Sequence, residues 1–359
     1  MKVGFYPYES SDNQYLSIVI NSIKKNNIIV EPFRVSITNW ILGKYDIDIA
    51  HFNWFDNIDA NTVLKTLLRC GKRVFILEIL KIRRVKIIIT VHNKIPHNTK
   101  FKSLTKIFLK FLYLSADSIT ILSDDTLNVL QQLIGRKRFK KIQKKIVLIP
   151  HPNYIGAYPE EIVNQQFNEE SKNMKCLFIG AVKPYKNIEL ILKVAKKLYT
   201  DNYNIDFIIA GGGNEDYINI LRDKADSLNN IFFLGRFIQN NEMSALIKQA
   251  DVLILPYDIE SSLNSGTCYL AFSYGKTVIC PLIGTIKEVG SENCYSYSYS
   301  TQQEHEIKLK EAILNAYKDY HENELENKGR RLLNKVINEN CPQDIGKRYV
   351  HLYSQILHD

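Results

Sequence analysis

The sequence predicts an α/β protein of two doubly wound domains facing one another across a cleft, with a terminal helix returning to the first. Three observations predict it. Short apolar runs alternate with amphipathic helical patterns along almost the whole chain. The runs lack strict polar alternation, as expected of parallel strands covered by helices on both faces. The alternation breaks once, at 151–173, a polar stretch with Pro152 and Pro159 that reads as an interdomain linker. The length of 359 residues suits two domains of ~150–200 residues each.

In order, the first half offers strands at 2–6, 28–33, 47–52, 86–91, 118–122 and 145–149, with helical patterns near 13–25, 61–83, 101–114 and 124–134. The second half resumes with strands at 175–179, 205–210, 231–235, 251–255 and 276–280. Three helical segments close the chain. In the last, Ile345, Tyr349, Leu352, Tyr353 and Ile356 form one apolar stripe, and Pro342 suits a first helical turn. The expected division is 1–160, 161–341, and a terminal helix 342–359 packing back on the first domain. Ligands of such sheets bind beyond the carboxyl ends of the strands, so the cleft is where to look.

Charge is unevenly placed. Residues 1–165 hold 25 Lys and Arg against 13 Asp and Glu (net +12), whereas 166–359 hold 22 against 25 (net −3). A basic half joined to a faintly acidic one suggests that one domain meets an anionic surface or polymer. The six cysteines stand singly, with no C-x-x-C pair, which reads as reduced thiols in a cytoplasmic protein and argues against a zinc site. The start, MKVGFYPYES, lacks the apolar stretch of a signal peptide, and no run approaches the ~20 apolar residues that span a bilayer.

Two stretches of the second half suit an anion. In IGAVKPYKN, 179–187, a strand ends at Gly180 and a helix begins near Asn187, an acceptable N-cap. Lys183 and Lys186 lie between, so helix N–H groups and mobile positive charge together suit a diphosphate. In YDIESSLNSGTCYLAFSYGKTVI, 257–279, Asn264, Ser265, Gly266 and Thr267 open a second helix start. The plainer readings are a solvated loop and ordinary capping; the coincidence of the two favours function. Gly212, in the turn FIIAGGGNEDY, sits beside them, without a dinucleotide fingerprint. Arg236 and Phe237, in FLGRF, leave a strand where backbone amides could hold a base edge; Arg236 faces either phosphate or solvent.

In the first half, TVHNKIPHN places His92 just after strand 86–91, hence at a carboxyl end, and His97 past Pro96. Two histidines without further ligands make a poor metal site. Asp46-Ile47-Asp48 has the look of a D-x-D metal motif, but its alternation into IDIAHF makes it a strand entry.

These blocks, from FIGAVKPYKNIELIL through IIAGGG, FFLGRF, ADVLILPY, NSGT and GKTVICPLIGTIKEVG, resemble the nucleotide-sugar domain of GT-B-fold glycosyltransferases, especially the family 4 bacterial capsular and exopolysaccharide enzymes. HFNWFDN, ITVHNKIPHN, ADSITILSDDT and IPHPNYIGAYP extend the resemblance over the first half. It implies two Rossmann-like domains, no metal and no cofactor, a UDP- or GDP-sugar donor, and His92 beside the donor sugar. Glu288 matches a glutamate common near the donor. Two departures matter. Ala181 stands where the family has an arginine, leaving Lys186 and in part Lys183; and Ser262 and Leu270 stand where it has paired glutamates. Glu9, Asp12 and Asp56, on first-domain loops, are alternative bases, with His97 on the acceptor side.

The basic segments 81–86, 100–114 and 135–145 suit the anionic inner face of a cell membrane, to which the chain would attach peripherally, and a polyprenyl-diphosphate-linked saccharide acceptor. No recognised nucleic-acid-binding motif is present. The expected activity is therefore metal-independent glycosyl transfer. A nucleotide-sugar 2-epimerase of the same fold, or a non-catalytic nucleotide- or membrane-binding partner, are the competing readings.

Overall fold

The computed structural model describes residues 1–10, 13–34, 46–97, 99–160, 172–226 and 228–358. Asp12 and residues 161–171 of the expected linker lie outside them. The chain forms two compact units. One comprises Met1–Pro152, Glu260–Asn264 and Asn340–Asp359, the other Asn153–Ile259 and Ser265–Glu339. The division falls at Pro152, and a five-residue excursion, 260–264, joins the first unit; neither is visible as a composition change.

The first unit is a parallel six-stranded sheet in the order β2-β1-β3-β4-β5-β6. Its strands are β1 (Lys2–Tyr6), β2 (Ile29–Pro32), β3 (Ile49–Asn53), β4 (Lys86–Val91), β5 (Ser118–Ile121) and β6 (Ile146–Leu148). Its helices are α1 (Tyr15–Lys24), α2 (Val63–Ile82), α3 (Lys102–Ser115), α4 (Asp125–Ile134) and α5 (Arg136–Ile142). The last was unforeseen: in GRKRFKKIQKK, Phe139 and Ile142 are buried while the basic residues face out. One core layer packs α2 and α3 on the sheet through Ile76, Leu77, Leu80, Phe108 and Leu112.

The second unit repeats the plan in the order β12-β11-β10-β7-β8-β9. It comprises β7 (Met174–Ile179), α6 (Ile188–Thr200), β8 (Ile205–Ala210), α7 (Glu215–Ala225), β9 (Ile231–Leu234), α8 (Asn240–Gln249), β10 (Val252–Ile254), α9 (Gly266–Ser273), β11 (Thr277–Pro281), α10 (Gly284–Val289), β12 (Tyr295–Tyr297), α11 (Gln302–His321) and α12 (Glu324–Glu339). Strand β12 was also unforeseen, because the tyrosine-serine run CYSYSYS reads as polar. In both sheets every pair is parallel, so all strand carboxyl ends share one edge.

The terminal helix α13 (Pro342–His358) belongs to the first unit, as its apolar stripe requires. Ile345, Tyr349, Leu352, Tyr353 and Ile356 are buried against Val3, Phe5, Leu16, Val19 and Ile20. A Cβ at Gly346 would fall 2.5 Å from the carbonyl oxygen of Ser22, so only glycine lets α13 approach α1 this closely. His51 locks the contact: its Nδ1 lies 2.7 Å from Tyr353 Oη and its Nε2 2.8 Å from Thr90 Oγ1, wholly inside the core. Among the described residues, no helix is long and apolar enough to cross a membrane, and the six cysteines are free thiols.

Candidate active site

At the carboxyl edge of the second sheet, the loop after β7 and the loop after β10 are stitched together. Asn187 does not cap α6. It adopts the left-handed conformation (φ 52°, ψ 43°), and its Nδ2 instead donates to the Pro256 carbonyl at 2.8 Å. The Asp258 amide donates to the Tyr185 carbonyl at 3.2 Å. Pro184–Lys186 is a single 3₁₀ turn, which aims Lys186 back over the sheet edge. The Lys186 ammonium lies 4.0 Å from the Tyr257 ring centroid and 5.2 Å from that of Tyr185. Burial, against the raising effect of the neighbouring Cys268 and Cys280 and with a small lowering contribution from Lys183, brings its pKa down to about 8.

Tyr257 carries the connection onward. Its hydroxyl lies 2.9 Å from Ser265 Oγ. Ser265 is the N-cap of α9, accepting from the Cys268 amide at 3.2 Å, while its own amide donates to Thr285 Oγ1 at 2.9 Å. Tyr299 fixes Tyr257 from behind, donating to its carbonyl at 3.0 Å. Lys186 and the start of α9 are thus joined through one phenol. Tyr257, Tyr185, Thr285 and Tyr299 were not singled out from sequence; Tyr257 stands three residues past β10, a place that marks a carboxyl-end loop but not this contact.

The glycine turn after β8 packs on the same edge. Val182 and Gly213 form a parallel bridge, and the Val182 amide donates to the Gly212 carbonyl at 2.8 Å. A Cβ at Gly213 would meet the Val182 carbonyl oxygen at 2.3 Å, and one at Gly212 the Phe237 amide nitrogen at 2.9 Å. Gly212 is therefore needed for backbone approach to the Arg236–Phe237 segment. Arg236 is held by Glu242 through two hydrogen bonds, 2.8 and 2.6 Å, so part of its charge is spoken for inside the unit. Phe237 is exposed, Lys183 is exposed, and Gly266 and Thr267 open α9. Glu288 is half-buried on α10.

In the first unit the carboxyl edge gathers histidines and aromatics. His92 follows β4, and its Nε2 lies 2.8 Å from Asn53 Oδ1 at the end of neighbouring β3. Trp54 stacks on the ring at 4.1 Å and 20°, and Tyr15 meets it edge-on at 5.2 Å and 87°. Burial, then His151 and His51, hold His92 well below the usual histidine range, so it is neutral at pH 7. His151 is buried with its Nδ1 2.7 Å from the Pro152 carbonyl oxygen, a structural placement. Asn264 sits here too: its Nδ2 donates to the His92 carbonyl at 3.3 Å. His97 is 2.9 Å from Ser261 Oγ, and the Lys94 amide donates to the Ser261 carbonyl at 3.1 Å. The excursion 260–264 is thus bound across the histidine loop.

Glu9 is exposed. Asp56, in the loop after β3, differs: burial raises its pKa to about 6, against the lowering effect of its own backbone amide and of Arg73. Arg73 is kept close by a hydrogen bond to the Phe55 carbonyl and by stacking 4.9 Å over the Phe55 ring. Among the described residues no group of three or more His, Cys, Asp or Glu is placed to hold a metal ion.

Two parallel six-stranded doubly wound sheets, with the last helix returned to the first, define the GT-B class. Residues 159–331 match the family model of the group 1 glycosyl transferases. The matched segment, just under half of the chain, and the two-sheet architecture together support a glycosyltransferase enzyme of the GT-B fold. HepE from Anabaena, solved with UDP and glucose, aligns over 99% of this chain and 100% of that chain at 14% identity, with a TM-score of 0.70. A glycosyltransferase from Rickettsia africae aligns over 100% and 98% at 15% identity and a TM-score of 0.64. Sucrose-phosphate synthase from Thermosynechococcus elongatus aligns over 90% and 77% at 15% identity and a TM-score of 0.69. No curated protein matches by sequence.

Proposed function

We propose that this enzyme transfers a sugar from a nucleoside-diphosphate sugar, a UDP- or GDP-sugar, to a polyprenyl-diphosphate-linked saccharide at the anionic inner face of the cell membrane, in bacterial surface-polysaccharide synthesis. The observation that carries the donor half is the Lys186–Tyr257–Ser265 chain, which puts an ammonium group and the amides of a helix start on one sheet edge. In transfer, the anomeric C–O bond breaks and both electrons leave with the nucleoside diphosphate. The acceptor hydroxyl forms the new bond and gives up its proton. Charge growing on the leaving diphosphate is met by Lys186 and the α9 amides, groups already in place before the bond breaks. In this scheme His92, neutral and half-buried, contacts the donor sugar, and Asp56, its pKa raised to about 6, is a candidate to take the acceptor proton. No metal is required in this scheme, since Lys186 and the helix start neutralise the leaving group. That UDP is the nucleotide is favoured by the HepE complexes with UDP and UDP-glucose.

The membrane half is supported by helix α2. Its outer face carries Leu64, Leu67, Leu68, Phe75 and Ile82, spaced three, four and seven apart on one stripe, with Leu64, Leu68 and Ile82 67, 66 and 81% exposed. Lys65, Lys72 and Arg83 flank it, and α3 adds exposed Ile107, Lys102 and Lys106. A surface helix normally turns its apolar face inward. Burying one such Leu or Ile is worth roughly 1.5–3 kcal/mol, and each basic residue near an anionic bilayer about 1 kcal/mol.

The donor reading is tested by isothermal titration of the protein with UDP, GDP and their sugars, with and without EDTA. Binding of one nucleotide, undiminished by EDTA and lost in Lys186→Ala, is expected. No binding of any of them would remove the proposal.

A further inference from the structure

We propose that Asn53 is a positioning residue which fixes His92 as the Nε2–H tautomer, so that the unshared pair on Nδ1 is what His92 presents to a ligand. This rests on the reading of His92 above and goes beyond it by naming the atom that meets the ligand and its keeper.

The sheet register sets the pair up. Asn53 lies opposite Thr90, and His92, two residues beyond Thr90 and just past the end of β4, comes to the same side of the sheet beside it. A side-chain amide oxygen only accepts, so at 2.8 Å the imidazole nitrogen opposite it must be the donor. A neutral ring has one N–H, which leaves Nδ1 as an acceptor, and Nδ1 makes no hydrogen bond among the described residues. The ring cannot turn to exchange its nitrogens, being stacked on Trp54 and edged by Tyr15. Trp54 holds that place with a left-handed backbone (φ 49°), a conformation a bulky residue adopts only where its surroundings impose it.

Asn53 is not explained by its own satisfaction. It is wholly buried, and its Nδ2 has no hydrogen-bond partner among the described residues. A leucine of similar size would fill the space without stranding a donor. What leucine cannot do is accept from His92. The titratable groups facing the ring are His151 and Tyr15 at its flanks and His51 on β3. His51 and His151 are themselves held to about 3 and about 4 by burial, and are uncharged at neutral pH. The tautomer is therefore set by the neutral amide and not by an ion.

The test is nitrogen NMR of the full-length protein with ¹⁵N-labelled histidine, the His92 signals being assigned by their loss in His92→Gln. At neutral pH the wild type is expected to show a proton-bearing Nε2 and a bare Nδ1. Asn53→Asp should put a carboxylate on the Nε2–H and raise the His92 titration midpoint by about 1 unit or more. Asn53→Leu, which needs no buried charge, should give a mixture of tautomers. A bare Nε2 in the wild type overturns the proposal, as does an unchanged tautomer in Asn53→Leu or an unmoved midpoint in a folded Asn53→Asp. Full turnover in His92→Gln would instead sink the catalytic reading and leave the tautomer assignment standing.

Discussion

The ammonium of Lys186 lies 4.0 Å from the ring centroid of Tyr257, whose hydroxyl is in turn 2.9 Å from the cap of the next helix. A π face attracts a cation without satisfying its hydrogen-bond donors. The lysine is therefore held in position and still has its donors to offer, in a site that penalises its charge.

A proton balance follows. With the Lys186 pKa at about 8 in the free protein, the ammonium is present below pH 8 and lost above it. A diphosphate binds the charged form and raises its pKa, so binding above pH 8 must take up a proton. Nucleotide affinity should be flat from about pH 6.5 to 7.5 and fall up to tenfold per unit above 8. Titration calorimetry in two buffers of different ionisation enthalpy at pH 8.5 should register the proton uptake. A profile unchanged by Lys186→Met would refute the assignment.

Much of the fold is legible in the sequence because buried parallel strands are nearly unbroken apolar runs, and such runs mark eleven of the twelve strands among the described residues. What escapes is what depends on contacts far apart in the chain. Strand β12 hides in CYSYSYS, since tyrosine buries its ring and reads as polar. Asn187 looks like a cap, yet its amide finds a carbonyl 69 residues away. His51 looks like one more polar residue in a strand until Tyr353 and Thr90 close on it. Lys186 and Ser265 are readable from local pattern; Tyr257, which joins them, is not.

The glycine turn after β8 yields a paired prediction. Gly213→Ala would drive a Cβ into the Val182 carbonyl, a backbone atom that cannot swing aside. It should destabilise the second unit by roughly 1–3 kcal/mol and weaken nucleotide binding, because the 180–187 loop must move. Gly71→Ala, in the middle of α2 with open space around it, should stabilise the first unit by about 1 kcal/mol. Urea titrations of both variants, followed by far-ultraviolet circular dichroism, check the opposite signs.

The apolar stripe of α2 predicts salt- and lipid-dependent attachment. The protein should co-sediment with vesicles containing phosphatidylglycerol more than with pure phosphatidylcholine, and high salt should weaken but not abolish the difference. Leu64→Ser with Leu68→Ser should reduce binding at every salt concentration, since neither side chain supports the core. Equal binding by that double variant would show that the stripe does not meet lipid.

Acid should loosen the first unit before the second, and the histidines give the sign. Burial depresses His51 to about 3, His151 to about 4, and His92 well below its usual value. Above about pH 6.5 these rings are neutral whether the chain is folded or not, and their contribution is complete. Below it the unfolded chain takes up protons the folded core refuses, so stability falls by about 1.4 kcal/mol per pH unit for each such ring until its folded pKa is reached. Asp56 works the other way: with its folded pKa raised to about 6, it takes up a proton between pH 6 and 4 that the unfolded chain does not, and offsets about one ring. The net expectation is a steep loss between pH 6.5 and 4.5 in the first unit. In the second unit His305, held to about 4, is the one such buried histidine among the described residues. Hydrogen exchange of β3 and β4 against β7 and β8 at pH 7 and pH 5 measures it. The amides of β3 and β4 should lose protection more, and His51→Gln should flatten their pH dependence by one proton. An equal loss in both sheets would mean that these rings are not neutral in the folded protein.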